Sequence, residues 1–87
     1  MIELGQVVMT MGVREEVDEF DIYDCLQRHQ EGDFGEVSED SVMLNNAAIK
    51  GGYDNILSVY TDRNGVKFWI ITEADRSATT ILLPEEY

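Results

Sequence analysis

Apolar residues recur along this chain first at helical spacing and then at strand spacing, and the change of rhythm sets its organisation. Gln6-Val7-Val8-Met9-Thr10 reads as a short first strand. Thr10 is then placed to cap a helix carrying Glu15 and Glu16, and Val13, Val17 and Phe20 follow i, i+4, i+7 spacing on one face. Asp21 reads as the cap of a second segment that buries Ile22, Cys25, Leu26 and His29, so residues 12–30 form two short helices or one kinked helix. Gly32-Asp33-Phe34-Gly35 is a tight loop whose aromatic plugs the core. Ser38 caps a third helix with Glu39 and Asp40 in its first turn, Leu44 and Ala48 facing inward and Lys50-Gly51-Gly52 at its end.

The last third alternates with period two. Ile56 to Thr61 and Val66 to Thr72 flank Asn64-Gly65, a strong hairpin signal. A two-residue turn sets Tyr60 opposite Trp69 and Asp62 opposite Lys67, pairing aromatics and opposite charges. That register directs Leu57, Val59, Thr61, Phe68, Ile70 and Thr72 toward the helices, and Ser58, Tyr60, Asp62, Lys67, Trp69 and Ile71 to the other face. The second face is either a contact surface or closed over by another segment. After a turn at Glu73–Ala78, Thr79 to Leu83 forms the last strand before Pro84. The expected fold is α+β: one 1–87 domain with a small antiparallel sheet, the N-terminal strand plus three C-terminal strands, packed on two or three short helices.

Charge changes this picture most. Eighteen acids against six bases give a net charge of −12. Residues 1–40 hold twelve acids and two bases, or −10, and residues 41–87 hold six acids and four bases, or −2. Such a chain is repelled by nucleic acid and anionic lipid and attracted to basic surfaces. No apolar stretch approaches the roughly 20 residues of a membrane helix, and the start has no secretory signal pattern. A single cysteine, Cys25, sits in an apolar helical pattern and reads as a buried thiol of a cytoplasmic chain.

Catalytic motifs are missing from the pattern. The one histidine, His29, lies near Asp33, but a metal site needs three or four ligands at recognisable spacing, so neither metal nor cofactor is expected. A structural histidine at a helix end is the simpler reading. Glu73, Asp75 and Arg76 form the densest mixed cluster outside the helices and read as a turn closed by ion pairs, with Arg76 also placed to brace the Glu85-Glu86 end. An enzyme or ligand site would have to assemble from His29, Asp33, Glu73, Asp75 and Arg76. The acids suggest something else. Glu15, Glu16, Asp18, Glu19, Asp21 and Asp24 crowd one region, and Glu31, Asp33, Glu36, Glu39 and Asp40 continue it. Projected from one side, they offer a basic groove an array of carboxylates like that of a nucleic acid, with Tyr60 and Trp69 as anchors.

The segment Phe68-Trp69-Ile70-Ile71-Thr72-Glu73-Ala74-Asp75-Arg76-Ser77-Ala78-Thr79-Thr80-Ile81-Leu82-Leu83-Pro84-Glu85-Glu86-Tyr87 resembles a family of short bacterial proteins found on plasmids and prophages and labelled plasmid-related. The likeness extends to Leu4-Gly5-Gln6, His29, Gly32-Asp33-Phe34-Gly35 and Leu44-Asn45; family members often have Thr-Pro where this chain has Thr10-Met11. The family has no established enzyme activity. Its mobile-element setting implies a small acidic inhibitor of restriction or CRISPR machinery, an association rather than a physical derivation. The leading expectation is therefore a non-enzymatic acidic protein that occupies a basic nucleic-acid-binding protein and does not itself bind nucleic acid or membrane. The alternative is a small accessory or regulatory domain whose acidity serves solubility only, dimeric through a sheet edge or the Tyr60–Trp69 face.

Overall fold

The computed structural model describes residues 1–52 and 54–87. Strand β1 (Gln6–Met9) leads into helices α1 (Met11–Glu16), α2 (Glu19–Gln30) and α3 (Glu39–Gly51). Strands β2 (Ile56–Thr61), β3 (Lys67–Thr72) and β4 (Ala78–Leu82) follow, with a 3-10 turn at Pro84–Glu86. The sheet order is β1-β4-β3-β2. This is the expected α+β class with one difference: β2, β3 and β4 are antiparallel, but β1 runs parallel to β4, so the sheet is mixed.

Local chemistry places each helix. The Thr10 side chain accepts from Val13 N–H and that of Ser38 from Ser41 N–H, as caps should. α2 is capped by Asp18 rather than Asp21: its carboxylate accepts from Asp21 N–H, while Val17 is extended (φ −96°, ψ 138°). That break resets the helical phase. Phe20 therefore does not continue the Val13–Val17 face but stands 76% exposed on α2. α3 ends at Gly52 in the left-handed region (φ 72°).

The hairpin differs from the expected one by a single residue. Thr61 pairs with Lys67 and Tyr60 with Phe68, and Asp62 N–H donates to Val66 C=O (2.9 Å), leaving Arg63-Asn64-Gly65 as a three-residue loop with Gly65 at φ 86°. The Asp62 carboxylate makes this loop: one oxygen accepts from Asn64 N–H (2.9 Å) and Val66 N–H (2.8 Å), and the other from Asp18 N–H at the start of α2 (2.8 Å). A one-residue shift moves every side chain of β2 to the opposite face. Ile56, Ser58 and Tyr60 therefore join Phe68, Ile70 and Thr72 against the helices, while Leu57, Val59 and Thr61 share the outer face with Lys67, Trp69 and Ile71.

The main core joins Val13, Val17, Ile22 and Cys25 to Tyr60, Phe68, Ile70, Ile81 and Leu83. A second cluster gathers Ile2, Phe34, Ala48 and Ile56, so Phe34 does plug the core. Leu44 does not: it is 70% exposed, because α3 turns Asn45 inward instead. The Asn45 amide donates to Leu57 C=O (2.7 Å) and its oxygen accepts from Leu57 N–H (3.2 Å), standing in for a neighbouring strand at the β2 edge. Phe34 C=O and Glu36 N–H bond Val59 beside it (3.1 and 2.7 Å). Gly35, at φ 71°, lies where a side chain would strike the Tyr60 ring and Val59 C=O, so the closure of this edge needs glycine.

Candidate functional site

The helical layer carries the acids. Glu15 and Glu16 end α1, Glu19 opens α2, and Asp24 and Glu31 lie seven residues apart along its exposed ridge. Glu36 precedes α3, and Glu39 and Asp40 occupy its first turn, where the helix dipole favours them. These eight are exposed. Asp18 and Asp21 are not part of that free array. Arg63 ion-pairs with Asp21 (3.0 Å) and Asp18 (3.4 Å), and its side-chain hydrogen bond holds the Asp21 carboxyl below the usual carboxylate range. Arg28 likewise pairs with Asp33 (2.8 Å), which lowers the Asp33 carboxyl, and its guanidinium lies 4.9 Å from the centre of the Tyr60 ring.

The aromatic anchors need correction. Tyr60 is 1% exposed and its hydroxyl donates to Asp33 C=O (2.6 Å), so the shifted hairpin register has made it core. Trp69 lies on the outer face of the sheet against Tyr87 (ring centroids 5.5 Å apart), away from the helical acids. Neither ring can serve the same contact as those acids. Two aromatics that the spacing misassigned or passed over stand among the acids instead: Phe20, and Tyr23 at 56% exposure. Tyr23 also borders a hollow of about 440 Å³ between β1, α1 and α2, walled by Met9, Val17 and Ile22 and rimmed by Arg14 and Glu19. Their signal in the sequence was the cap at Asp18, which rotates the rest of α2.

The residues weighed for chemistry are dispersed into structural tasks. His29 is fully buried, its Nδ1 meeting Ser58 Oγ (2.5 Å) and its Nε2 meeting Thr72 Oγ1 (2.8 Å). Thr72 Oγ1 meets Thr79 Oγ1 (2.8 Å), and Thr79 donates to Leu4 C=O (2.7 Å). The carbonyl can only accept, so the direction of the whole chain is fixed. Thr79 gives its proton to Leu4, Thr72 gives its own to Thr79, and His29 must donate from Nε2 and accept the Ser58 hydroxyl at Nδ1. Burial lowers the His29 pKa to about 4, so the ring is neutral. Burial likewise pushes the Cys25 thiol up to about 11. Arg76 does not brace the C-terminal acids. Its guanidinium donates to the carbonyls of Asp54, Glu73, Ala74 and Ala48 (2.9 to 3.0 Å), and Asp75 accepts from Ser77 N–H within the turn. Glu86 instead accepts from Thr10 Oγ1, Leu83 N–H and Gly12 N–H, closing the start of α1, and these bonds lower its carboxyl despite some desolvation.

No described helix is long and apolar enough to cross a membrane. Comparison with protein-family models, with curated proteins and with solved structures found no match.

Proposed function

We propose that this chain is a non-enzymatic, acidic interaction protein whose helical layer occupies a basic, nucleic-acid-binding surface of another protein. One observation carries the reading: eight exposed carboxylates lie on or beside the three helices of a chain of net charge −12. Carboxylates held this way attract a cationic groove at long range and lose that attraction as salt screens them. Phe20 and Tyr23, exposed among them, supply the aromatic contacts that interfaces favour. The C-terminal resemblance to plasmid- and prophage-borne proteins supports a restriction, CRISPR or other DNA-processing complex as the target. The neutral, enclosed His29 supports a non-enzymatic role, since a general base must reach its substrate.

The test uses immobilised protein and nuclease-treated bacterial extract at low salt. The expected outcome is retention of a nucleic-acid-binding protein that duplex DNA displaces and that elutes as salt rises. Reversing Glu15, Glu16, Glu19 and Asp24 to lysine should abolish retention. Asp18 and Asp21 are left intact because the α2 cap and the Arg63 pair depend on them. Retention that survives the reversal, or that DNA does not displace, would leave the acids with solubility as their role.

A further inference from the structure

No helix core residue packs on the outer face of the sheet. The buried helix residues Val13, Ile22, Cys25, His29 and Ala48 all belong to the opposite side. Tyr87 reaches round to it, edge-on to Trp69, and the 3-10 turn before it contacts β3. What remains is an apolar surface of Val8, Leu57, Val59, Trp69, Ile71 and Thr80, all but Val8 half-buried, with Leu82 already buried opposite Trp69. Past the β2 edge, Leu57 and the exposed Leu44 of α3 line a second hollow of about 430 Å³ together with Asn45, Asp54 and Asn55, so the apolar surface ends there.

We infer that this face is where a second copy of the same chain docks, the two sheets packing face to face about a two-fold axis near Trp69. Charge selects the occupant. The only charged residue among the strand positions of this face is Lys67, in a chain with eighteen acids. Two molecules of charge −12 repel each other through almost any other surface, and here the strand positions bring no carboxylate to the contact. A basic partner finds nothing to attract it on this face. The competing self-contact, the open edge of β1, offers only four residues, and short edge strands pair poorly. A two-fold contact is self-complementary, so each Trp69 meets the other copy's outer face. From strand spacing and rise the strands of this face cover about 20 by 17 Å. That is well under the roughly 800 Å² per partner of a standard interface, which makes the dimer a weak one. In it the two acidic helical layers point away from each other and remain open to another protein, so the docking stands whether or not the acids bind one.

Sedimentation equilibrium from about 10 μM to about 1 mM spans the affinities of such weak interfaces. The expected result is a rise from the chain mass to twice that mass. The emission of Trp69, the one tryptophan, should shift to the blue over the same concentrations. Ile71→Lys and Val59→Lys should each weaken association at least tenfold, whereas Val7→Lys on the inner row of β1 and lysine at Glu15 and Glu16 should leave it intact. Added salt should tighten the dimer by screening repulsion, opposite to its effect on an acid-mediated partner. A constant chain mass with unchanged Trp69 emission would overturn the inference without any variant. So would a dimer broken by Val7→Lys but not by Ile71→Lys, or a Trp69 shift seen only when a cationic protein is added.

Discussion

His29 is neutral at pH 7 because its ring lies inside the protein with both nitrogens committed to hydroxyls. Its folded pKa, about 4, is below the ordinary 6.5, so the unfolded chain takes up a proton that the folded one resists. The stability this represents is complete above about pH 6.5 and is lost as pH falls toward 4, to a limit of about 3 kcal/mol. Relief of the −12 charge acts in the opposite direction over that range, so the comparison must be between variants. Gln at position 29 keeps a donor for Thr72 and an acceptor for Ser58 but has no proton to gain. Urea unfolding should show the native chain losing stability relative to His29→Gln as pH falls from 6.5 to 4; parallel pH profiles would refute the account. Arg76 offers a second residue-level test. It sits at φ 61°, outside the comfortable range of an L-residue, and is held there by four carbonyls that tie the β3–β4 turn to the end of α3. Arg76→Ala should cost roughly 2–3 kcal/mol, and Arg76→Gly about 1 kcal/mol less because glycine tolerates that φ. Equal losses would mean that the backbone there is unstrained.

At the scale of elements, Asp62 decides how the hairpin and α2 fit together. Burial opposes its ionisation, yet N–H donors from Asp18, Val66 and Asn64 outweigh burial and hold the carboxyl below its ordinary range. Asp62→Ala should cost roughly 2 kcal/mol or more, since it leaves those donors without a partner. Asp62→Asn should keep the loop but turn its amide toward Asp18 N–H, so amide exchange should quicken at the start of α2 and not in the hairpin. Exchange rising equally in both would show that Asp62 does not join them. This residue also explains what the chain's pattern did and did not disclose. The caps at Thr10 and Ser38, the Phe34 plug, the buried Cys25 and the position of the hairpin follow from local chemistry, and each was legible. Register was not, because Leu57 and Val59 look more like core than Ser58 and Tyr60. Ser58 is buried only because His29, far off in sequence, accepts its proton. For the same reason Asn45 outranks Leu44: a strand edge needs an amide more than α3 needs another apolar contact. Asp18 went unread as the α2 cap because Val13, Val17 and Phe20 keep helical spacing across the break, and Phe20 and Tyr23 were lost from the site with it. The parallel docking of β1 depends on its path around three helices, which periodicity does not encode.

At the scale of the molecule, charge and packing are separated by the sheet. Acids crowd the helical layer, and among the described strand positions of the outer face the one charge is Lys67. Three arginines are already committed, Arg28 and Arg63 to carboxylates and Arg76 to carbonyls, so few cations remain to offset the exposed acids. Two effects of salt then compete. Screening weakens the Arg28–Asp33 and Arg63–Asp21 pairs, but exposed pairs of this kind contribute little. Screening also relieves repulsion among many more carboxylates, with Glu15 beside Glu16 and Glu39 beside Asp40 on adjoining positions. The second effect should win, and the melting temperature should rise between about 20 mM and about 500 mM salt, where the Debye length falls from over 20 Å to under 5 Å. Reversing Glu15 and Glu16 to lysine should reduce that rise, because it removes repulsion that salt would otherwise screen. A melting temperature that falls with salt would mean that the ion pairs outweigh the acidic field, leaving the helical layer too weak a source of attraction for a basic partner.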